Sequence, residues 1–165
     1  MAWLDRLGQR GLDAHGKHLP PEAFTLRDGD LGLLLARLWD GDGSLSAAGH
    51  ASYDTVSRRL AEDVQHLLLR PGIVARVYER RKPYRDRTVT SHVVTVTGAE
   101  NLRTFWKRVG RRFLNPRRRR FARLLASATR GRTSRDVIPA EVRTAIRRAR
   151  DARAAYRFNN FIADY

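Results

Sequence analysis

Leu35-Ala36-Arg37-Leu38-Trp39-Asp40-Gly41-Asp42-Gly43-Ser44 is an apolar helical run that ends in two aspartates set among glycines. A buried helix of this kind delivers a carboxylate at its C-terminal end. Glycines there allow a sharp turn and let backbone carbonyls approach an ion. A carboxylate placed at a strongly positive surface suits metal-assisted phosphodiester cleavage.

The rest of the chain supplies that surface. Among its 165 residues, Lys and Arg total 33 against 17 Asp and Glu, for a formal charge of +16. Such an excess points to a polyanionic partner, because each neutralised phosphate releases condensed counterions. Only three of the basic residues are lysines (Lys17, Lys82 and Lys107). Arginine suits bidentate contacts to phosphate and guanine, although a GC-rich coding sequence produces the same skew. The absence of cysteine excludes disulfides, zinc fingers and thiol catalysis. No apolar run is as long as a membrane span, so a cytoplasmic, nucleoid-associated location is expected and no membrane partner.

Outward from the motif, the patterning predicts α-β-β-α-β-β-α between about residues 28 and 110. Asp28 is the expected N-cap of the first helix, with Asp30 adding favourable charge in its first turn. Gly32 and Ala36, four apart, form a notch where another helix can pack closely. Ser44–Ala47 and Ser52–Val56 read as short strands, and Ser57 caps a helix from Arg58 to Arg70 striped with Leu60, Val64, Leu67 and Leu68. Ile73–Glu79 alternates, Arg81–Arg87 makes a basic hairpin tip around Pro83, and Thr88–Thr97 returns with Val93-Val94 hinting at a bulge. A helix over Glu100–Val109 closes the unit.

Three segments follow from this reading. They are an N-terminal helix and linker over 1–27, a core over 28–112, and a basic helical extension over 113–165. In the core, a curved antiparallel four-stranded sheet carries helices on one face. On its free face the strand would array Arg76, Tyr78 and Arg80 as a major-groove reader, joined at the tip by Arg81, Lys82, Arg85 and Arg87. Beyond the core, Arg117, Arg118, Arg119 and Arg120 are expected to grip phosphates without sequence preference. Trp39 and Trp106 read as core aromatics, and the histidines lack metal-site spacing.

The opening stretch resembles the LAGLIDADG motif of homing endonucleases, matching it at Leu35, Ala36, Leu38, Asp40, Asp42 and Gly43. The likeness extends to His15-Gly16-Lys17-His18-Leu19-Pro20, Ser57 to Gln65, Gly72-Ile73, Thr97-Gly98 to Phe105, and Asp136 to Val142. Over about residues 12–145 it is similar to the endonuclease insert of bacterial inteins, especially those of replicative helicases. The splicing blocks of an intein are expected to be missing, since the chain starts Met-Ala-Trp and ends Ala-Asp-Tyr.

The resemblance implies an α+β LAGLIDADG fold and sequence-specific, divalent-metal-dependent cleavage of double-stranded DNA. It implies that Asp42 binds the ion, usually magnesium, with help from the Gly41 carbonyl, and that Arg58 is a peripheral basic residue of the catalytic centre. Asp40 is expected to hydrogen-bond within the motif. With one motif, the chain needs a second repeat, by homodimerisation or from a missing half. The family often has a Lys near the end of the fourth strand, where this chain has Thr97-Gly98. That departure keeps open a degenerate DNA-binding module lacking cleavage activity. An RNA-binding relative is a third reading.

Overall fold

A computed structural model describes residues 5–85 and 87–128. Four helices and four strands follow one another as α1 (Asp28–Asp42), β1 (Gly43–Ser46), β2 (His50–Thr55), α2 (Arg58–Leu69), β3 (Ala75–Tyr84), β4 (Arg87–Val96), α3 (Ala99–Arg108) and α4 (Pro116–Ala128). Short 3-10 turns at Pro21–Thr25 and Gly110–Arg112 complete the path. The strands form one antiparallel sheet in the order β1-β2-β4-β3. This is the expected α+β architecture, and α4 begins the expected basic helical extension.

Burial on one face of each element decides the packing. Leu31, Leu35, Ala36 and Trp39 of α1, Leu60, Val64, Leu67 and Leu68 of α2, and Leu102 and Phe105 of α3 converge on Ala51, Tyr53, Ala75, Val94 and Val96 of the sheet. Trp39 sits at the centre, 5.1 Å from the Phe105 ring and 5.5 Å from that of Tyr53. Ala75 and Val77 face this core, so period-2 alternation turns Arg76, Tyr78, Arg80 and Lys82 to the open face of the sheet.

Several local readings are corrected. Helix α1 begins on Asp28 itself, with Arg27 before it, and Asp28 makes no capping bond from the N-cap position. It also runs on through Gly41 and Asp42 before the backbone extends at Gly43. No bulge interrupts β4: Val93 pairs with both Asp54 and Tyr78 in continuous register and is buried on the face opposite Val94. The hairpin tip is shorter than expected, because β3 continues through Pro83 to Tyr84. Proline is tolerated there because β3 lies at the edge of the sheet.

The small-residue notch is filled from within the chain. A Cβ on Gly32 would lie 2.5 Å from the Arg108 carbonyl oxygen, so α3 is the helix that packs closely at the notch, as expected. Ser57 caps α2 as predicted, accepting from the Leu60 N–H at 3.1 Å. Such a cap contributes about 1 kcal/mol. The segment before α1 is tied to α2: the Leu19 N–H donates to Asp63 at 2.8 Å, and Arg70 donates to the carbonyls of Phe24 and Leu26 at 3.1 and 2.7 Å. The rest of the expected helical extension, residues 129–165, lies outside the described residues.

Candidate nucleic-acid and metal site

The C-terminal turn of α1 is where the chemistry-bearing residues meet. Asp42 is its last residue, exposed, and its carboxylate makes no hydrogen bond or ion pair with any described residue. Gly41 before it is also exposed, and a Cβ there would meet nothing within 4 Å. Gly43 after it has no such freedom. A Cβ on it would fall 2.5 Å from Trp39 Cδ1 and 2.6 Å from the Trp39 carbonyl oxygen. Gly43 is therefore required by close packing on Trp39, not by turn geometry, since its φ of −82° suits any residue.

Asp40 plays a structural part. Its carboxylate accepts from Arg37 and from the Leu114 N–H, the latter at 2.9 Å, while Arg37 also donates to the Arg112 carbonyl at 2.6 Å. Arg118 of α4 donates to the Trp39 carbonyl. A cation at a helix C-terminus also complements the negative end of the dipole. These bonds fix the tip of α1 from 74 to 79 residues downstream. Arg118 is thus engaged inside the protein, unlike the phosphate-gripping role expected for it, whereas Arg117, Arg119 and Arg120 are exposed.

Tyr53 lies beside Asp42 on β2. Burial, and then the nearby Asp42 carboxylate, push its hydroxyl up to about 12. A raised pKa in the folded state means that the neutral phenol stabilises the fold fully below its ordinary value of 10.0, and that this contribution is lost as pH rises toward 12. Tyr53→Phe should therefore flatten the alkaline loss of stability, measured as urea midpoints between about pH 9 and pH 11. A midpoint falling as steeply as in the wild type would sink this assignment.

On the open face, Ser52 and Thr95 share a hydrogen bond of 3.0 Å, and Asp54 of β2 receives both Arg80 and Lys82 of β3. Burial alone would raise the Asp54 carboxyl, but the hydrogen bonds from Lys82, Ser91 and Arg80 together hold it below its usual range. No sequence signal had singled out Asp54, because the register that brings β2 within reach of Arg80 and Lys82 across β4 is a tertiary fact. Arg76 and Tyr78 on the same face remain exposed. Arg81 pairs with Thr90 and falls on the other face by alternation, so it does not join that row. Arg85 occupies the tip with a left-handed backbone, φ 51°, and Arg87 opens β4.

Arg58 follows β2 as expected, yet its Nε donates to Glu62 at 2.8 Å, and it makes no hydrogen bond or ion pair with Asp42. Among the described residues, no group of three His, Cys, Asp or Glu side chains forms a metal cluster. The donors present are one unpaired carboxylate and adjacent carbonyls. That set fits magnesium, which retains waters and takes one or two carboxylates together with substrate phosphates. No described helix is long and apolar enough to cross a membrane.

The chain is similar to short parts of several longer proteins. The chain is 38% identical over 114 residues to the replicative DNA helicase DnaB of Nostoc sp., covering 66% of this chain but 13% of that protein. It is 31% identical over 108 residues to the replication factor C small subunit of Methanocaldococcus jannaschii, covering 66% of this chain and 6% of that protein. Over 50 residues it is 46% identical to a DNA gyrase subunit of Mycobacterium kansasii, covering 28% of this chain and 9% of the relative. The LAGLIDADG-like domain family matches residues 31–110, from the first buried leucine of α1 to the turn after α3. That match lies over the αββαββα unit with its exposed Asp42, so this unit is a LAGLIDADG-like domain.

Proposed function

We propose that the chain is a sequence-specific homing endonuclease domain of intein origin, which binds double-stranded DNA on the open face of its sheet and cuts it with a divalent ion held at Asp42. One observation carries the reading. An exposed carboxylate without a partner among the described residues ends α1, next to a sheet whose open face bears Arg76, Tyr78, Arg80 and Lys82. Asp42 and the Gly41 carbonyl would hold the ion, preferably magnesium, which supplies charge neutralisation and Lewis acidity at the scissile phosphate. Arg76 and Tyr78 approach base edges, while Arg85 and Arg117 hold phosphates and fix register. Intein origin is supported by the similarity of parts of this chain to small fractions of a helicase, a replication factor and a gyrase. A mobile insert explains that distribution more simply than shared function.

Cutting both strands needs two such carboxylates, so a second copy or a missing half completes the site. The exposed Leu33 and the open space at Gly41 leave the outer side of α1 available for it. Cleavage of a supercoiled plasmid carrying the intein-less helicase gene with magnesium, followed by light scattering with and without that DNA, tests both parts. Linear product from a dimer supports the reading. Intact plasmid at saturating protein supports the second reading, a DNA-binding module that no longer cuts. Two observations favour that second reading: Thr97-Gly98 stands where the family has a Lys, and Arg58 is held by Glu62.

Asp54 sets the electrostatics of the open face. It neutralises part of Arg80 and Lys82 in the free protein, so a non-specific phosphate must compete with it. Asp54→Asn should tighten binding to random duplex about three- to tenfold at low salt and steepen the salt dependence. Anisotropy titrations check this, and unchanged affinity would show that Asp54 does not restrain the two cations.

A further inference from the structure

We infer that the groove between α3 and α4 is a second nucleic-acid site, which takes a single-stranded phosphodiester segment with one base stacked on Trp106. The groove encloses about 470 Å³ and is lined by Trp106, Arg111, Pro116, Arg119, Arg120 and Arg123. It is built by helices and the turn joining them, not by the strands of the open sheet face.

Four guanidiniums line it without a carboxylate, and none of the four makes an ion pair or side-chain hydrogen bond with a described residue. Their placement runs against local stability. Arg119 lies in the first turn of α4, where the positive end of the helix dipole disfavours a cation. Arg119 with Arg123 and Arg120 with Arg123 are like-charge neighbours at i,i+4 and i,i+3. Arg118 escapes the same penalty by donating to the Trp39 carbonyl, whereas its neighbours have no such partner. A local rule broken without internal compensation marks a ligand site.

The chemistry of the lining selects the ligand. Guanidiniums spaced along one helix face match successive phosphates. The half-buried Trp106 offers a stacking surface, and a duplex keeps its bases stacked away from any such platform. Aromatic platforms combined with basic grooves are how unpaired strands are held. The site does not depend on the endonuclease reading, and its test uses different residues.

The experiment is anisotropy of the full chain with fluorescein-labelled oligo-dT of about twelve nucleotides and with a random duplex of equal length. Arg119→Gln/Arg123→Gln should weaken oligo-dT about tenfold or more and lower the salt slope by about 1.4, with duplex affinity changed less than about threefold. Arg76→Gln/Tyr78→Ala should do the reverse. Oligo-dT should also quench tryptophan fluorescence, and Trp106→Phe should remove that quench while keeping the affinity, since phenylalanine still stacks. Unchanged oligo-dT binding in the α4 variant overturns the proposal. So does an equal loss of oligo-dT binding in the β3 variant, which would leave one shared site. Failure of cleavage in every variant would overturn the endonuclease reading alone and leave both binding outcomes decisive.

Discussion

Asp42→Asn should abolish plasmid cleavage, by about a hundredfold or more, and leave DNA affinity intact or slightly raised. The substitution keeps the shape of a side chain that is exposed and unpaired, so neither the end of α1 nor its packing changes. What changes is the charge available to a divalent cation, and the chain becomes one unit more positive than +16. Nicking of supercoiled DNA measures the first effect and anisotropy the second. Equal cleavage by mutant and wild type would remove Asp42 from the reaction. A parallel loss of binding and cutting would instead point to a damaged fold, which circular dichroism distinguishes.

The second large effect concerns stability. Trp39→Ala should cost about 3–5 kcal/mol, because a side chain 1% exposed is deleted from the centre of the core. Trp39→Phe should cost less, since it also removes an indole N–H that is buried without a partner. Gly43→Ala should destabilise by about 1–3 kcal/mol or more. Two of the three atoms it meets, the Trp39 Cα at 2.6 Å and carbonyl oxygen at 2.6 Å, belong to the backbone and cannot rotate aside. The Gly43→Ala penalty should therefore persist in a Trp39→Ala background. Urea denaturation gives all four values, and a Gly43→Ala variant as stable as the wild type would refute the close-packing role.

Much of this arrangement was legible in the chain. The 3.6-residue stripe of Leu60, Val64, Leu67 and Leu68 and the cap at Ser57 specify α2, and alternation from Ala75 specifies the faces of β3. Those signals are local, and the structure keeps them. Val93-Val94 misled because both faces of the central strand are covered: Val94 lies under the helices and Val93 lies among the long side chains of the open face. Periodicity disappears wherever both sides exclude water. Gly43 misled for a different reason: it serves a close contact with Trp39 and not a turn, and sequence does not reveal which group will approach. Asp54 and Arg118 were invisible as interaction partners, since their roles depend on groups 26 to 79 residues away.

The bonds from Leu114 and Arg118 to the tip of α1 bear on how this scaffold can be cut and transplanted. A fragment trimmed at residue 110, the limit of the family match, would keep every strand and still lose both braces. Engineers who graft the unit onto another protein should carry the chain through α4, or the acidic fingertip will swing without its splint.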